Sequence, residues 1–148
     1  LGAVRARGDV LCFVDADIKL VHGWLATVLD SLDAGPALLV SDCETREVTG
    51  TCAVLADVYN AVRGYGEDLV GWGYEDHDFY NRIEAAGYTV HSYPTCMVDP
   101  IHHSDQERYR FRPEWRLMLS STVNKKIAQR RKGRVNPDGW GAGKVEVI

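Results

Sequence analysis

The sequence predicts an α/β fold. Three features carry this expectation: short apolar runs alternate with segments of helical period, glycines and prolines punctuate the joins, and an acidic pair follows the first apolar run. In open α/β sheets ligands gather at the carboxyl ends of strands, so that pair falls where chemistry is expected. The 148 residues, 45% of them apolar, suffice for one domain with a core, and they contain no internal repeat.

Residues 9–14 read as a strand buried on both faces, with Cys12 as a small core residue, and the run ends in Asp15-Ala16-Asp17. Residues 22–34 carry Trp24, Leu25, Val28, Leu29 and Leu32 at helical spacing, and Gly35-Pro36 stops that helix. Strands are expected at 37–41 and 51–55, separated by the polar stretch DCETREVTG. A brief helix at 57–62 leads into GYGEDLVGWGYEDHD, whose glycines predict a tight, mobile loop. Helix resumes at 75–86 with Phe79, Ile83 and Ala86 on one side and Gly87 placed as its C′ residue. Strands follow at 88–93 and 96–101, joined at Pro94. Beyond His102 and His103 a helix is predicted from Trp115, Leu119, Val123 and Ile127 at four-residue intervals, with a final strand at 144–148.

The formal charge of -4 argues against nucleic acid as a partner, since binding phosphates needs an excess of Lys and Arg. The segment KKIAQRRKGR, residues 125–134, carries six positive charges and no acid; it reads as a solvated helix face, or as a contact for an anionic membrane surface or acidic substrate. No apolar run approaches the ~20 residues of a membrane span, and no signal-peptide pattern opens the chain, so a cytoplasmic protein, peripheral at most to a membrane, is expected. The chain starts at Leu1 without Met and reads as a fragment or a processed product. Cys12, Cys43, Cys52 and Cys96 form no CxxC pair, which favours reduced thiols over a disulfide framework, with Cys43 and Cys52 the one pair flanking a turn.

Residues two apart in an extended segment share a side, so Asp15 and Asp17 are expected to present two carboxylates to one site. Such an oxygen pair suits Mg²⁺ or Mn²⁺ bridging a diphosphate, because these ions take remaining ligands from phosphate and water. Acidic pairs after strands are also common in plain loops. The second cluster, residues 71–78, sets Glu75, Asp76 and Asp78 in a first helical turn behind Trp72. The helix dipole and an i,i+4 pair of Asp78 with Arg82 would account for the charges. They do not account for a Trp between two glycines, which offers a flat face to sugar C–H groups beside a carboxylate able to accept a hydroxyl proton.

ARGDVLCFVDADIKLVHGWL, GWGYEDHDFYNRIEAAGY and IHHSD together resemble glycosyltransferases of the GT-A fold, specifically the carboxyl-terminal half shared by family-2 enzymes and β-1,4-galactosyltransferase-like proteins. The resemblance spans roughly residues 1–110. It implies a partial GT-A (Rossmann-like) catalytic half-domain at 1–112 with a helical, glycine-rich extension at 113–148. It further implies Asp17 at a Mn²⁺ or Mg²⁺ ion, and Asp15 at the ribose or the metal. His103 would be the third protein ligand, with His102 the competing choice. Trp72 and Gly73 would line the sugar and acceptor site, Glu75 would contact a hydroxyl or the sugar, and Asp76 would be the general base of an inverting transfer. The partners implied are a nucleotide-diphosphate sugar, UDP-sugar foremost, and a glycan or other hydroxyl acceptor. Tyr74 stands where the family's WGGED pattern has its second glycine, and the family's amino-terminal half has no counterpart in this sequence. With those strands absent, residues 9–14 are expected to leave an apolar edge that favours a homo-oligomer. Two other classes compete: a non-catalytic sugar- or nucleotide-binding module, and a DxD phosphohydrolase, which Lys19 disfavours where Thr or Val is wanted.

Overall fold

The computed structural model describes residues 2–43, 48–103, 114–131, 135–136 and 139–141, with the side chains of 114–119 left out. The elements are α1 (Gly2–Arg5), β1 (Val10–Phe13), β2 (Ile18–Leu20), α2 (Trp24–Asp33), β3 (Leu38–Ser41), β4 (Cys52–Leu55), α3 (Ala56–Ala61), α4 (Glu75–Ala85), β5 (Val90–Tyr93), a 3₁₀ turn (Thr95–Met97), β6 (Val98–Pro100) and α5 (Glu114–Arg130). The final strand expected at 144–148 and the boundary at residue 112 lie outside the described residues. No helix among those described is long and apolar enough to cross a membrane.

Four strands form one sheet in the order β1-β4-β3-β5, with β3 and β5 parallel and the other two pairings antiparallel. Successive side chains on a strand point to opposite faces, and two cores result. Leu38 of β3 with Cys52 and Val54 of β4 meets Val58, Tyr59, Phe79 and Ile83 from α3 and α4. Leu39 and Ala53, one residue along, meet Trp24, Val28 and Leu32 from α2. Helices therefore cover both faces of the sheet, as the alternating sequence pattern requires.

The strand β1 departs from expectation. It lies at the sheet edge and is buried at Leu11, while Cys12 is exposed, so it is not a strand covered on both faces. The reason is lateral: α2 packs over β3 and β5, at the opposite end of the strand order. All four cysteines are free thiols. In α2, Trp24, Val28 and Leu32 are buried at four-residue intervals, whereas Leu25 and Leu29 are exposed.

A second, two-stranded ladder was not foreseen from sequence. β2 pairs antiparallel with β6 in the register Ile18↔Pro100, Lys19↔Asp99 and Leu20↔Val98. The Ile101 N–H donating to the Asp17 carbonyl (2.7 Å) carries the pairing one step further. Three residues are too short a run to show a period, which explains why sequence patterning passes over β2.

The glycine-punctuated segment is not free, because α5 is fastened to it. Arg131 donates to both carboxylate oxygens of Asp78 (2.6 and 2.7 Å) and also pairs with Asp68. Arg82 donates to Asp78 (3.0 Å) and to the carbonyls of Val62 (2.6 Å) and Gly64 (2.5 Å). The i,i+4 pair of Asp78 and Arg82 thus exists, but it is no surface pair: the Asp78 side chain is 4% exposed. Arg131 likewise leaves the basic segment for an internal role rather than a solvated face. Removing one partner of a buried ion pair leaves the others uncompensated, so Asp78→Asn is expected to lower stability by about 3 kcal/mol. A urea unfolding curve checks this, and a loss of only a few tenths of a kcal/mol would return Asp78 to the class of surface charges.

Candidate active site at the Asp15–Asp17 turn

The acidic pair sits just past the end of β1, in a turn rather than an extended segment. The Ile18 N–H donates to the Asp15 carbonyl at 3.1 Å, closing a turn over Asp15–Ile18. The Asp15 N–H donates to the Thr51 hydroxyl (3.3 Å), which ties the start of the turn to the residue preceding β4. Gly50 faces the Asp15 carboxylate so closely that a Cβ there would lie 2.6 Å from Oδ1, so a side chain at residue 50 would displace the carboxylate.

From this turn the β2–β6 ladder does the positioning. Antiparallel pairing of Ile18 with Pro100 sends the chain after β6 back alongside residues 15–17. His103 Nε2 then comes within 2.7 Å of Asp17 Oδ2, joining side chains 86 positions apart. This contact is made by His103, the first choice of the two histidines weighed from sequence. Among the described residues no group of three or more His, Cys, Asp or Glu side chains is arranged to hold a metal ion.

The other cluster reaches the same region from α4. Tyr74 precedes the helix in the left-handed conformation, φ 75°, where glycine carries no steric cost and other residues pay roughly 1 kcal/mol or more. Its ring stacks on His77, centroids 5.7 Å apart, which offers a partial offset. Glu75, Asp76 and Asp78 occupy the first turn, with Asp78 turned into the arginine network. Cys52, Tyr65 and Tyr80 form a buried group within electrostatic reach of Asp76; burial pushes the Cys52 thiol up to about 12 and raises both tyrosines. Tyr80 is anchored by donating to the Thr49 carbonyl (2.6 Å).

Burial also acts on Asp76. Loss of water pushes its carboxyl up to about 7, with the neighbouring Glu75 and Asp15 charges adding to the shift. A helix N-terminus alone would lower it, so burial outweighs the dipole here. The Asp15 contribution ties the two sequence clusters together: a carboxyl poised near neutrality lies within electrostatic reach of the acidic turn. Trp72 and Gly73 are half-buried above α5, whose Ser120 and Asn124 contact them; sequence reasoning missed both of these residues. The signal available was a pair of polar residues four apart within an otherwise apolar helical stripe.

Residues 42–106 match a family model described as the N-terminal domain of galactosyltransferase. No curated protein matches the sequence significantly. Among solved structures the chain is similar to a mutant of Drosophila β-1,4-galactosyltransferase 7 in complex with manganese, UDP-Gal and xylobiose, at 18% identity and a TM-score of 0.61. It is equally similar to the catalytic domain of Drosophila β-1,4-galactosyltransferase 7 in complex with xylobiose, at 19% identity and a TM-score of 0.61. In both cases 90% of this chain is covered, and it spans 59% of the length of the solved galactosyltransferase. The chain thus has a fold similar to part of a galactosyltransferase catalytic domain, and its residues 42–106 resemble a galactosyltransferase domain.

Proposed function

We propose that this chain is the metal-binding and catalytic portion of a glycosyltransferase that moves a sugar from a nucleotide-diphosphate sugar, UDP-sugar foremost, to a hydroxyl acceptor with inversion. The observation carrying this reading is convergence: Asp15 lies near enough to raise the Asp76 carboxyl, while Asp17, two residues on, contacts His103. A base and a candidate ligand pair therefore share one end of the sheet.

A carboxylate and an imidazole in contact, with a second carboxylate in the same turn, are donors that suit Mn²⁺ or Mg²⁺ completing its shell from phosphate and water. Asp17 and His103 would hold the ion, with Asp15 at the ribose or the metal, and His102 is the less favoured ligand. When bound, such an ion offsets the charge building on a departing diphosphate. Manganese, UDP-Gal and xylobiose in the similar Drosophila complex support this choice of ligands and serve as probes.

In the proposed step the acceptor hydroxyl lies against Asp76 with Trp72, Gly73 and Glu75 around the sugars. Asp76 takes the hydroxyl proton as the oxygen bonds to the anomeric carbon, and the bond from that carbon to the diphosphate breaks on the opposite face. Only the ionised carboxylate accepts a proton. A carboxyl raised to about 7 is therefore half available near neutrality, and kcat/KM should rise as pH increases through that value. A transfer rate flat from about pH 6 to about pH 8 would remove Asp76 from this role.

A sugar- or nucleotide-binding module without transfer is the second reading. Calorimetry and kinetics separate the two. Asp17→Ala is expected to abolish Mn²⁺-dependent UDP binding and His103→Ala to weaken it; unchanged affinity in Asp17→Ala would sink the metal assignment. Asp76→Asn is expected to cut transfer ~100- to 10,000-fold with donor binding retained. Binding without any transfer in the parent would favour the module.

The same substitution has a stability signature. The folded state holds the Asp76 proton up to about 7, whereas an unfolded aspartate releases it near 3.8, so burial of the ionised carboxyl costs the parent stability increasingly across that window. In metal-free buffer Asp76→Asn should melt higher than the parent, by a margin that grows from about pH 5 to about pH 8. A variant that is both inactive and less stable at the higher pH would point to misfolding instead of a lost base.

A further inference from the structure

The helix α5 lies outside the segment that matches the galactosyltransferase model, and among its described side chains the most buried are polar. Val123 is exposed, whereas Ser120 and Asn124 are buried at 8% and 1% exposure. Burying an amide and a hydroxyl in place of apolar groups costs free energy unless each is hydrogen-bonded, and here both are bonded to the backbone of residues 70–73. Ser120 Oγ accepts from the Trp72 N–H (3.1 Å) and donates to the Trp72 carbonyl (2.8 Å). Asn124 Oδ1 accepts from the Val70 N–H (2.9 Å), while its Nδ2 donates to the carbonyls of Val70 (3.0 Å) and Gly73 (2.8 Å). Two side chains thus fix the backbone polar groups of three of the four residues.

The segment is not held by deep apolar burial of its own side chains. Val70 is 54% exposed and Trp72 half-buried, so apolar burial does not select its conformation. Gly71 and Gly73 take φ of 72° and 90°, and a Cβ on either would lie 2.9 Å from the Cβ of Ser120 or Ser121. Glycine is required there both for the backbone angle and for the close approach of α5. The Gly73 carbonyl held by Asn124 immediately precedes Tyr74, from which α4 and Asp76 begin.

We propose that Ser120 and Asn124 are positioning residues that fix the backbone of residues 70–73, setting where Trp72 and Asp76 meet the acceptor. The acceptor part of this proposal rests on the glycosyl-transfer reading above, whereas the clamp itself does not.

The test uses the full chain with Ser120→Ala, Ser120→Thr and Asn124→Ala, followed by amide hydrogen exchange and by kinetics with UDP-Gal and xylobiose. Ser120→Ala should speed exchange at the Trp72 amide at least ~10-fold, and Asn124→Ala should do the same at Val70, with the Leu39 and Val54 core amides unchanged. Ser120→Thr, which keeps the hydroxyl, should stay near parental. Transfer to xylobiose should fall ~10- to 100-fold in kcat/KM for acceptor, while Mn²⁺-dependent UDP affinity is retained. Unchanged exchange at Trp72 in Ser120→Ala would overturn the clamp. So would faster exchange across the core amides, or an equal loss of UDP affinity, either of which makes the residues generally structural. If the parent itself transfers no sugar but the exchange pattern holds, the clamp stands and the transferase reading falls. Ser120→Ala removes one oxygen at the helix surface, so this arm remains decisive even if Asn124→Ala does not fold.

Discussion

A single buried carboxylate organises the half of the molecule that faces the candidate site. Asp78 is buried and takes two cationic partners, Arg82 from its own helix and Arg131 from α5. Each arginine has donors to spare. Arg82 uses them on the carbonyls of Val62 and Gly64, and Arg131 on Asp68. One charge thereby ties together the end of α3, the glycine-rich segment, α4 and α5. The guanidinium of Arg82 also lies 5.7 Å from the Phe79 ring centroid, so the network rests on the apolar core beneath it.

That arrangement explains how a segment rich in glycine can serve as a precise wall. Gly64, Gly71 and Gly73 all have positive φ, and in isolation such a chain would sample many conformations. Here the entropy cost is met from outside the segment: arginines fasten its start, and Ser120 and Asn124 fasten its end. The opposite wall is built on another principle. The Asp15–Asp17 turn and His103 are set by backbone pairing of β2 with β6, a ladder that fixes register within a few residues of the functional side chains.

The sequence patterning located α2, α3, α4 and the four strands of the main sheet to within about two residues, most of which carry a buried face with a clear period. It erred where burial is not apolar or not symmetric. The edge position of β1 left Cys12 exposed, a matter of lateral coverage that no local pattern records. In α5, Val123 of the expected stripe is exposed, while the most buried of the described side chains are Ser120 and Asn124, which meet peptide groups. The Asp78–Arg82 spacing was legible, but Arg131, 53 positions from Asp78, was not.

The site itself was legible in unequal parts. Asp15, Asp17, Asp76 and the two histidines stood out as residue types with chemistry, and motif resemblance gave them roles. What sequence could not supply was the environment that makes a carboxyl useful. Asp76 and Asp78 are two residues apart on the same helical turn, both acidic and both turned away from bulk water, yet their surroundings differ. Asp78 meets two guanidinium groups, which tie it into the fold. Asp76 loses water on burial and has the charges of Glu75 and Asp15 nearby, so its proton is held to about 7. One turn of helix thus carries one carboxylate committed to the fold and one left protonatable near neutrality. The difference comes in part from residues at positions 15 and 131, which only the folded chain brings to that turn.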